Sequence, residues 1–338
     1  MWMVVRVCNK TSKNIYVASC VKDGGIYHYK MKDGILQLQD VTKMDRPMYM
    51  VVENQKMYIV LRAPFHNNES GVIVYDIGED GRLENPSELI STKGEVACYI
   101  AVHKNQIYCA NYISGSVVKL PNKVAQHRGQ GICPNRQEAP HVHYVGVTPD
   151  SKYVCATDLG LDTIFLYHLD LKLHKQVKVP EGHGVRHLVF SSDGKYLFAV
   201  NELMSTVVVF SYDNGQLELI DCCEALPRGF KGESTAAAIR VRNGLIYVSN
   251  RGHDSIAVLQ FCNDKLEIID YIDCEGKTPR DFYFVDDYLL VANQDSDEVC
   301  SFDIQNDFRL SHKVEVEMPV CVCEGFVDLE INKNDERK

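Results

Sequence analysis

The feature that most constrains this chain is a motif that recurs seven times: a short apolar strand, a polar corner and a second apolar strand. Five copies are clear, and they begin at Tyr108, Cys155, Phe198, Tyr247 and Leu290. Weaker copies begin at Tyr16 and Tyr58, and the seven starting residues lie 42, 50, 47, 43, 49 and 43 positions apart. A period of about 40 to 50 residues with several strands in each unit is typical of a β-propeller.

One repeat unit is legible along its whole length. Apolar, β-branched runs at 186–191, 196–200, 206–212 and 217–222 predict four strands. Asp193-Gly194 and Asn214-Gly215 supply the residues that hairpin turns need. The same layout returns at 235–272 and 280–316. We therefore predict an all-β, seven-bladed β-propeller with four antiparallel strands in each blade.

The ends of the chain must meet, because an open ring would leave two exposed sheet edges. The stretch 317–324 resembles the first strand of a blade, and no further blade follows it. We predict that this C-terminal strand joins the N-terminal blade begun near residue 15. We expect one propeller domain over residues 1–338, with 331–338 as a frayed tail and 4–8 as an extra strand or an edge cover.

The longest irregular piece is the segment 123–139, which contains Gly129, Gly131 and Pro134. We interpret it as a surface loop near the axis end of a blade. Long loops on rigid scaffolds often carry function, although a tolerated insertion is an equally good interpretation.

Composition narrows the class of protein. The 36 basic and 46 acidic residues give a net charge of −10, which argues against a nucleic-acid partner. Most of the 13 cysteines lie in strand patterns, and none forms a zinc-type Cys-x-x-Cys pair. The first six residues do not resemble a signal peptide, and no apolar run reaches the roughly 18 residues of a membrane span. We expect a cytoplasmic protein with reduced thiols, no metal, no cofactor and no membrane contact.

Polar residues concentrate where the first strand of a blade begins and the second ends, two points that share one face beside the channel. Histidine, arginine and glutamate differ from blade to blade there, which favours function. Asparagine recurs, which also suits a turn cap. The candidates are His141, His143, Arg186, Glu202 and Arg251 for catalysis, and Asp158, His187, Arg280, Asn111, Asn250 and Asn293 for substrate binding.

Several of these residues lie in motifs that resemble a known family. The motifs are Pro-His-Val-His at 140–143, Asp-Leu-Gly at 158–160, Gly-Val-Arg-His-Leu-Val-Phe at 184–190, Val-Asn-Glu-Leu at 200–203, Ser-Asn-Arg-Gly-His-Asp-Ser-Ile at 249–256 and Pro-Arg-Asp-Phe at 279–282. Together they resemble the lactonase family of seven-bladed propellers over residues 15 to 326. That family includes propeller-type 6-phosphogluconolactonases and the fungal carboxymuconate cyclase.

The resemblance implies a working set made of a channel histidine (His141 or His143), Arg186, Glu202 and Arg251, with Arg280 as a further family arginine. Many members carry an acidic residue where this chain has Ala238. We expect that difference to remove a carboxylate from the channel mouth.

The function favoured by this reasoning is hydrolysis of 6-phosphogluconolactone or a similar anionic sugar lactone, in the pentose phosphate pathway of carbohydrate metabolism. Glu202 or a channel histidine would activate water, while Arg186 and Arg251 would hold the substrate anion or the oxyanion. The alternatives are a muconate-type lactonizing cyclase and a non-catalytic propeller that binds a ligand or partner. A calcium-dependent lactonase using Asp158, Glu202, Asn111 and Asn250 is weaker. We expect a monomer or weak homodimer.

Overall fold

The computed structural model describes residues 12–325, which form seven antiparallel sheets arranged as a β-propeller. The predicted fold class is confirmed. The segments 4–8 and 331–338, for which we predicted an added strand and a frayed tail, lie outside the described residues.

Each blade is one sheet, and the strands are numbered along the chain. Blade 1 contains β1 (Lys13–Ser19), β2 (Gly25–Lys32) and β3 (Ile35–Lys43). Blade 2 contains β4 (Pro47–Glu53), β5 (Lys56–Leu61), β6 (Glu69–Ile77), β7 (Leu83–Glu84) and β8 (Ile90–Glu95). Blade 3 contains β9 (Ala97–His103), β10 (Gln106–Asn111), β11 (Ser116–Lys119) and β12 (Lys123–Gln126). Blade 4 contains β13 (Val142–Val147), β14 (Tyr153–Asp158), β15 (Thr163–His168) and β16 (Leu173–Lys178); blade 5 contains β17 (Val185–Phe190), β18 (Tyr196–Asn201), β19 (Thr206–Asp213) and β20 (Gln216–Glu224). Blade 6 contains β21 (Thr235–Arg242), β22 (Leu245–Arg251), β23 (Ser255–Cys262) and β24 (Lys265–Asp273); blade 7 contains β25 (Pro279–Val285), β26 (Tyr288–Asn293), β27 (Glu298–Asp303) and β28 (Arg309–Glu315); β29 (Pro319–Gly325) returns to blade 1.

The ring closes in the way the sequence predicts. Strand β29 pairs antiparallel with β1, so that Val322 faces Val17. It thereby becomes the innermost strand of blade 1, and it packs between the innermost strands β25 and β4 of the neighbouring blades. The last strand of the chain therefore pairs with the first and leaves no open edge at the junction.

Both faces of a blade are buried, because each blade packs between two others. Strand β19 shows this, since Val207, Val208 and Val209 are consecutive and fully buried. Val208 belongs to the apolar cluster on one side of blade 5, and its two neighbours belong to the cluster on the other side. The hairpin after β19 turns at Asn214-Gly215, whose φ angles of 45° and 82° explain the need for asparagine and glycine.

Two details differ from the predictions. The segment 123–139 was predicted to be irregular throughout, but its first four residues form β12, the outer strand of blade 3. In blade 2 the outer position is divided, because β7 and β8 each pair with a different part of β6.

Helix is almost absent from residues 12–325. The two helices there are single 3-10 turns, Gln294–Ser296 and Ile304–Asn306. Neither is long enough to cross a bilayer.

Candidate functional site

A β-bulge lies near the start of every innermost strand. At that point the pairing with the second strand skips one residue, or two in blade 6. The skipped residues are Val320, Met48, Cys98, His143, Arg186, Ala237 with Ala238, and Arg280. A bulge leaves the extra residue unpaired and re-aims its side chain. Met48, Cys98, His143 and Arg280 accordingly line one cavity at the axis of the propeller.

A second group of side chains comes from the end of the second strand in each blade. Arg62, Tyr112 and Glu202 directly follow β5, β10 and β18, and Arg251 ends β22. Equivalent backbone bonds hold the first three in place, since the N–H of Arg62 donates to Arg46 O at 3.1 Å, that of Tyr112 to Val96 O at 2.9 Å, and that of Glu202 to Gly184 O at 2.7 Å. The repeat therefore delivers side chains from equivalent corners to the same rim.

The cavity between these two groups measures about 290 Å³. Its ionisable lining includes Arg62, Arg136, Arg251, Arg280, His143 and Glu202. Among the described residues, four arginines thus face the space with a single carboxylate. Such an excess of positive charge in a partly enclosed site favours an anionic ligand.

Glu202 is the carboxylate at the centre of this cluster, and three arginines contact it. Arg136 donates a hydrogen bond to Oε1, and Arg251 Nη2 lies 3.1 Å from Oε2. Arg186 Nε lies 2.9 Å from the same oxygen, but its N–H is not aligned for a hydrogen bond, so the contact is an ion pair. Both carboxylate oxygens are therefore occupied.

The blade 6 bulge fixes two of these arginines. Arg186 Nη1 donates to the carbonyl of Ala237 at 2.7 Å, and Arg251 Nη2 donates to the carbonyl of Ala236 at 3.0 Å. Ala237 is skipped by the strand pairing and Ala236 is the last paired residue before the skip, so both acceptors lie at the bulge.

The electrostatics of the site follow from burial and from the arginine excess. Burial opposes ionisation of Glu202, but Arg251, Arg186 and Arg136 outweigh it and hold its pKa well below its usual value. Burial and the nearby charge of Arg251 lower the pKa of Arg186 to about 9, so Arg186 stays charged at neutral pH. Burial and Arg251 also lower the pKa of Arg280. Positive charge is thus in excess, which is the condition for anion binding.

The three candidate histidines occupy different positions. His143 lines the cavity, and its buried Nδ1 has no hydrogen-bond partner among residues 12–325. His141 stacks on Tyr112 at 4.5 Å and does not line the cavity. His187 lies deeper, 5.1 Å from the His143 ring and 4.9 Å from the Tyr99 ring, where aromatic side chains fill the channel. Of the pair at 141 and 143, the structure therefore brings His143 to the cavity.

Burial, reinforced by Arg186, lowers the pKa of both His143 and His187 well below the usual histidine value. Both rings are consequently neutral at pH 7. Burial raises the pKa of the Cys98 thiol, which also lines the cavity, to about 12. Cys98 is thus protonated at neutral pH and is a poor nucleophile.

The three candidate asparagines hold neighbouring blades together and do not line the cavity. Their side-chain amides donate to carbonyls at the outer end of the preceding blade: Asn111 to Thr92 at 3.0 Å, Asn250 to Ala225 at 2.8 Å and Asn293 to Cys274 at 2.8 Å. All three are fully buried. Their recurrence therefore reflects blade packing, and we correct the substrate-binding role expected for them.

Asp158 occupies the same position in blade 4 and is likewise committed to structure. Its Oδ1 accepts the backbone N–H of His141 at 2.8 Å and of Leu161 at 3.1 Å. Its Oδ2 lies 2.6 Å from His127 Nδ1. Asp158 does not line the cavity, so its expected contact with substrate is also corrected.

Replacing Asn250 with alanine should lower stability without impairing catalysis. The substitution leaves the buried carbonyl of Ala225 without its donor, at a cost of about 1–3 kcal/mol. Thermal unfolding and turnover of the folded protein measure the two effects separately, and Asn293→Ala should behave alike. Reduced turnover at unchanged stability would instead support the substrate-binding role that the sequence predicted for Asn250.

The expected effect of Ala238 on the channel mouth is also corrected. Ala238 is fully buried and packs with Tyr247 and Phe282 between blades 6 and 7. It does not line the cavity, so the alanine takes no carboxylate from the cavity lining.

The oxygen ligands required for a calcium site are not assembled. Asn111, Asp158 and Asn250 are engaged within three different blades, and Glu202 is held by arginines. Over the described range 12–325, no group of three or more His, Cys, Asp or Glu side chains is placed to hold a metal ion.

Arg136 is the principal site residue that the sequence reasoning did not single out. It lies in the connection 127–141 between β12 and β13, most of which belongs to the segment 123–139 that the sequence analysis interpreted as either functional or a tolerated insertion. His127 anchors the start of this stretch through Asp158 and through Tyr167 Oη at 2.6 Å. Gln137 anchors its end by donating to Asp162 Oδ1 at 2.8 Å. The only available signal was the position of the loop beside the axis.

Comparison with known proteins gives a consistent result. The profile of a family described as "Lactonase, 7-bladed beta-propeller" matches residues 14–324. A Staphylococcus epidermidis protein of unassigned function is 32% identical, over 85% of this chain and 91% of its own. A solved Bacteroides fragilis protein, provisionally described as a 6-phosphogluconolactonase, is 26% identical with a TM-score of 0.85, over 94% of this chain and 99% of its own. The periplasmic gluconolactonase of Pseudomonas aeruginosa is 26% identical with a TM-score of 0.84, and the match covers 94% of this chain and 100% of the gluconolactonase.

Proposed function

The chain belongs to the lactonase family of seven-bladed β-propellers, and from that premise we propose that it hydrolyses an anionic sugar lactone. The preferred substrate class is a phosphorylated six-carbon aldonolactone such as 6-phosphogluconolactone. A relative described as a 6-phosphogluconolactonase and another described as a gluconolactonase support this class.

One observation carries the proposal: within the part of the chain that the structure describes, the cavity lining contains four arginines and a single carboxylate. Among residues 12–325, Arg62 and Arg280 form no ion pair with a carboxylate, and Arg280 donates only to the neutral side chain of Gln294 at 2.8 Å. Charged groups that are partly removed from water need a counter-charge. A phosphate group on the substrate supplies it, and guanidinium groups bind phosphate through two parallel hydrogen bonds.

The reaction requires only water and a proton acceptor. The base takes a proton from water, and the water oxygen adds to the lactone carbonyl carbon to give a tetrahedral oxyanion. An arginine of the rim stabilises that charge. The C–O bond within the ring then breaks, and the ring oxygen takes up a proton to give the open hydroxy acid. Because a δ-lactone is already strained and reactive, the site needs to lower the barrier only modestly.

Glu202 and His143 are the two groups that can accept the proton from water. Without a bound anion both are weak bases, since the arginines stabilise ionised Glu202, while burial, reinforced by Arg186, disfavours a protonated His143. A bound phosphate offsets part of the arginine charge, which raises the basicity of both groups. The substrate anion thus contributes to catalysis as well as to binding.

The decisive experiment is a hydrolysis assay on freshly generated 6-phosphogluconolactone, corrected for the protein-free rate. We expect acceleration, with kcat/KM about 10- to 100-fold above that for unphosphorylated δ-gluconolactone, the worth of one charge-assisted phosphate contact. Turnover of a muconate with none of either lactone would assign a cyclase. No turnover of any of them would leave a binding propeller.

A reducing compartment is the second element of the proposal. The described cysteines are all free thiols, and most are buried. This supports a cytoplasmic protein working on sugar phosphates. Fractionation of the native cells tests it, and recovery with the periplasmic or secreted fraction would overturn it.

A further inference from the structure

Arg136 differs from the other two arginines that contact Glu202. It comes from the connection 127–141, outside the repeated blade, whereas Arg186 and Arg251 lie on blade strands. Its side chain is 41% exposed, compared with 2% for Arg186 and 14% for Arg251. Arg136 therefore covers Glu202 from the solvent side.

The backbone beside Arg136 is fixed. Gln137 is fully buried, and its amide donates to the carbonyl of Leu159 and to Asp162 Oδ1, both at 2.8 Å. Asp162 in turn accepts the backbone N–H groups of Gly182 and Gly184. This network holds the loop against blade 4, so movement of Arg136 is confined to its side chain.

The guanidinium of Arg136 is held by fewer contacts than those of its neighbours. Arg186 and Arg251 each donate to a backbone carbonyl of blade 6, in addition to contacting Glu202. Within residues 12–325, the only carboxylate that pairs with Arg136 is Glu202, its other side-chain partner is the neutral Tyr112, and its guanidinium donates to no backbone carbonyl. Of the three arginines, Arg136 is the one that can leave Glu202 without stranding a buried charge or carbonyl.

We propose that Arg136 is an exchangeable cap: an anionic group that enters the cavity draws Arg136 onto itself and uncovers Oε1 of Glu202 for the reacting water. Glu202 is a poor competitor for Arg136, because two other arginines already share its charge. A phosphate group carries more charge and accepts both hydrogen bonds of the guanidinium fork. The part played by water rests on the proposed function, whereas the exchange itself is an anion-binding event.

A binding cycle with inorganic phosphate tests the exchange. Isothermal titration calorimetry measures the phosphate affinity of the wild type, Arg136→Gln, Glu202→Gln and the double variant. The comparison gives the effect of removing Arg136 on phosphate binding when the Glu202 carboxylate is present and when it is replaced. If the cap exchanges, Arg136→Gln weakens phosphate binding about tenfold in the Glu202→Gln background and distinctly less in the wild type. The exposed Arg128, on the same loop, gives the matched control Arg128→Gln, which should bind phosphate like the wild type.

The proposal is overturned if removing Arg136 weakens phosphate binding more in the wild type than in the Glu202→Gln background. If Arg136 stays on Glu202, removing it unmasks a carboxylate beside the phosphate, so the loss is larger in the wild type than in the Glu202→Gln background. Absence of phosphate binding by the wild-type protein would overturn it equally.

A turnover measurement separates this inference from the proposed function and needs no Glu202 variant. Inorganic phosphate should stimulate hydrolysis of neutral δ-gluconolactone several-fold in the wild type, after subtraction of the protein-free rate in the same buffer. Arg136→Gln should show no stimulation, because its Glu202 is already uncovered. Inhibition of the wild type by phosphate would contradict the cap. If no lactone is hydrolysed but the binding cycle has the expected order, the exchange stands and the proposed function fails.

Discussion

Replacing Arg251 with alanine should lower kcat/KM for a phosphorylated lactone about 10²- to 10³-fold while the propeller stays folded. Arg251 reaches the cavity from the end of β22 and contacts Glu202, so its loss removes positive charge where substrate and oxyanion charge are bound. The Arg251 side chain is partly exposed, and Glu202 keeps its contacts with Arg186 and Arg136 when Arg251 is lost, so the buried carboxylate stays paired. Initial rates and thermal unfolding of the same preparation measure both effects.

Arg242 provides the matched control within the same blade. It ends β21, stacks on Phe284 at 5.0 Å and does not line the cavity. Arg242→Ala should therefore keep the wild-type kcat/KM. Full activity in Arg251→Ala would remove Arg251 from the catalytic machinery and leave substrate binding to the other arginines.

The fold was predictable because the same strand–corner–strand motif recurs seven times along the chain. Each copy combines apolar strands with turn residues, and the recurrence of Asn and Asp at the corner fixed the register of one unit against the next. The four strands predicted in blade 5 match β17–β20 to within about two residues, the usual uncertainty of strand ends. Closure by β29 followed from the absence of any further unit after residue 324.

The candidate site was predictable in place but not in every member. Equivalent blade corners do bring Arg186, Glu202, Arg251 and Arg280 together with His143. The choice between His141 and His143 depends on the bulge in β13, which turns the second of them to the axis. A bulge depends on strand pairing across the sheet, so one strand read alone does not reveal it.

The asparagines that recur at the blade corners had two interpretations, as substrate ligands or as structural residues. Only the contacts between blades decide between these two roles. Asn111, Asn250 and Asn293 bond to carbonyls of a preceding blade, which are distant in sequence. Arg136 escaped notice for the opposite reason, since it lies outside the repeat and has no equivalent in other blades. Its proximity to Glu202 arises from the path of one loop.

Replacing Glu202 with glutamine should abolish most of the activity and destabilise the protein by about 3–5 kcal/mol. The amide keeps the shape of the side chain but leaves Arg186, which is 2% exposed, without its counter-charge. Glu218→Gln, at an exposed position on β20 of the same blade, is the matched control and should unfold like the wild type. Chemical denaturation of the three proteins at pH 7 gives the comparison.

The pH dependence of the stability difference between wild type and Glu202→Gln identifies the Glu202 carboxylate as the source of that difference. The pKa of Glu202 in the folded protein lies below the ordinary value of 4.5, so ionised Glu202 contributes its full stabilisation above pH 4.5. Below that pH the unfolded chain takes up a proton that the folded chain does not. The stability gap between wild type and Glu202→Gln should then narrow by about 1.4 kcal/mol per pH unit. A gap that stays constant from pH 5 down to about pH 3 would show that the loss comes from altered packing, because an effect of shape alone does not titrate.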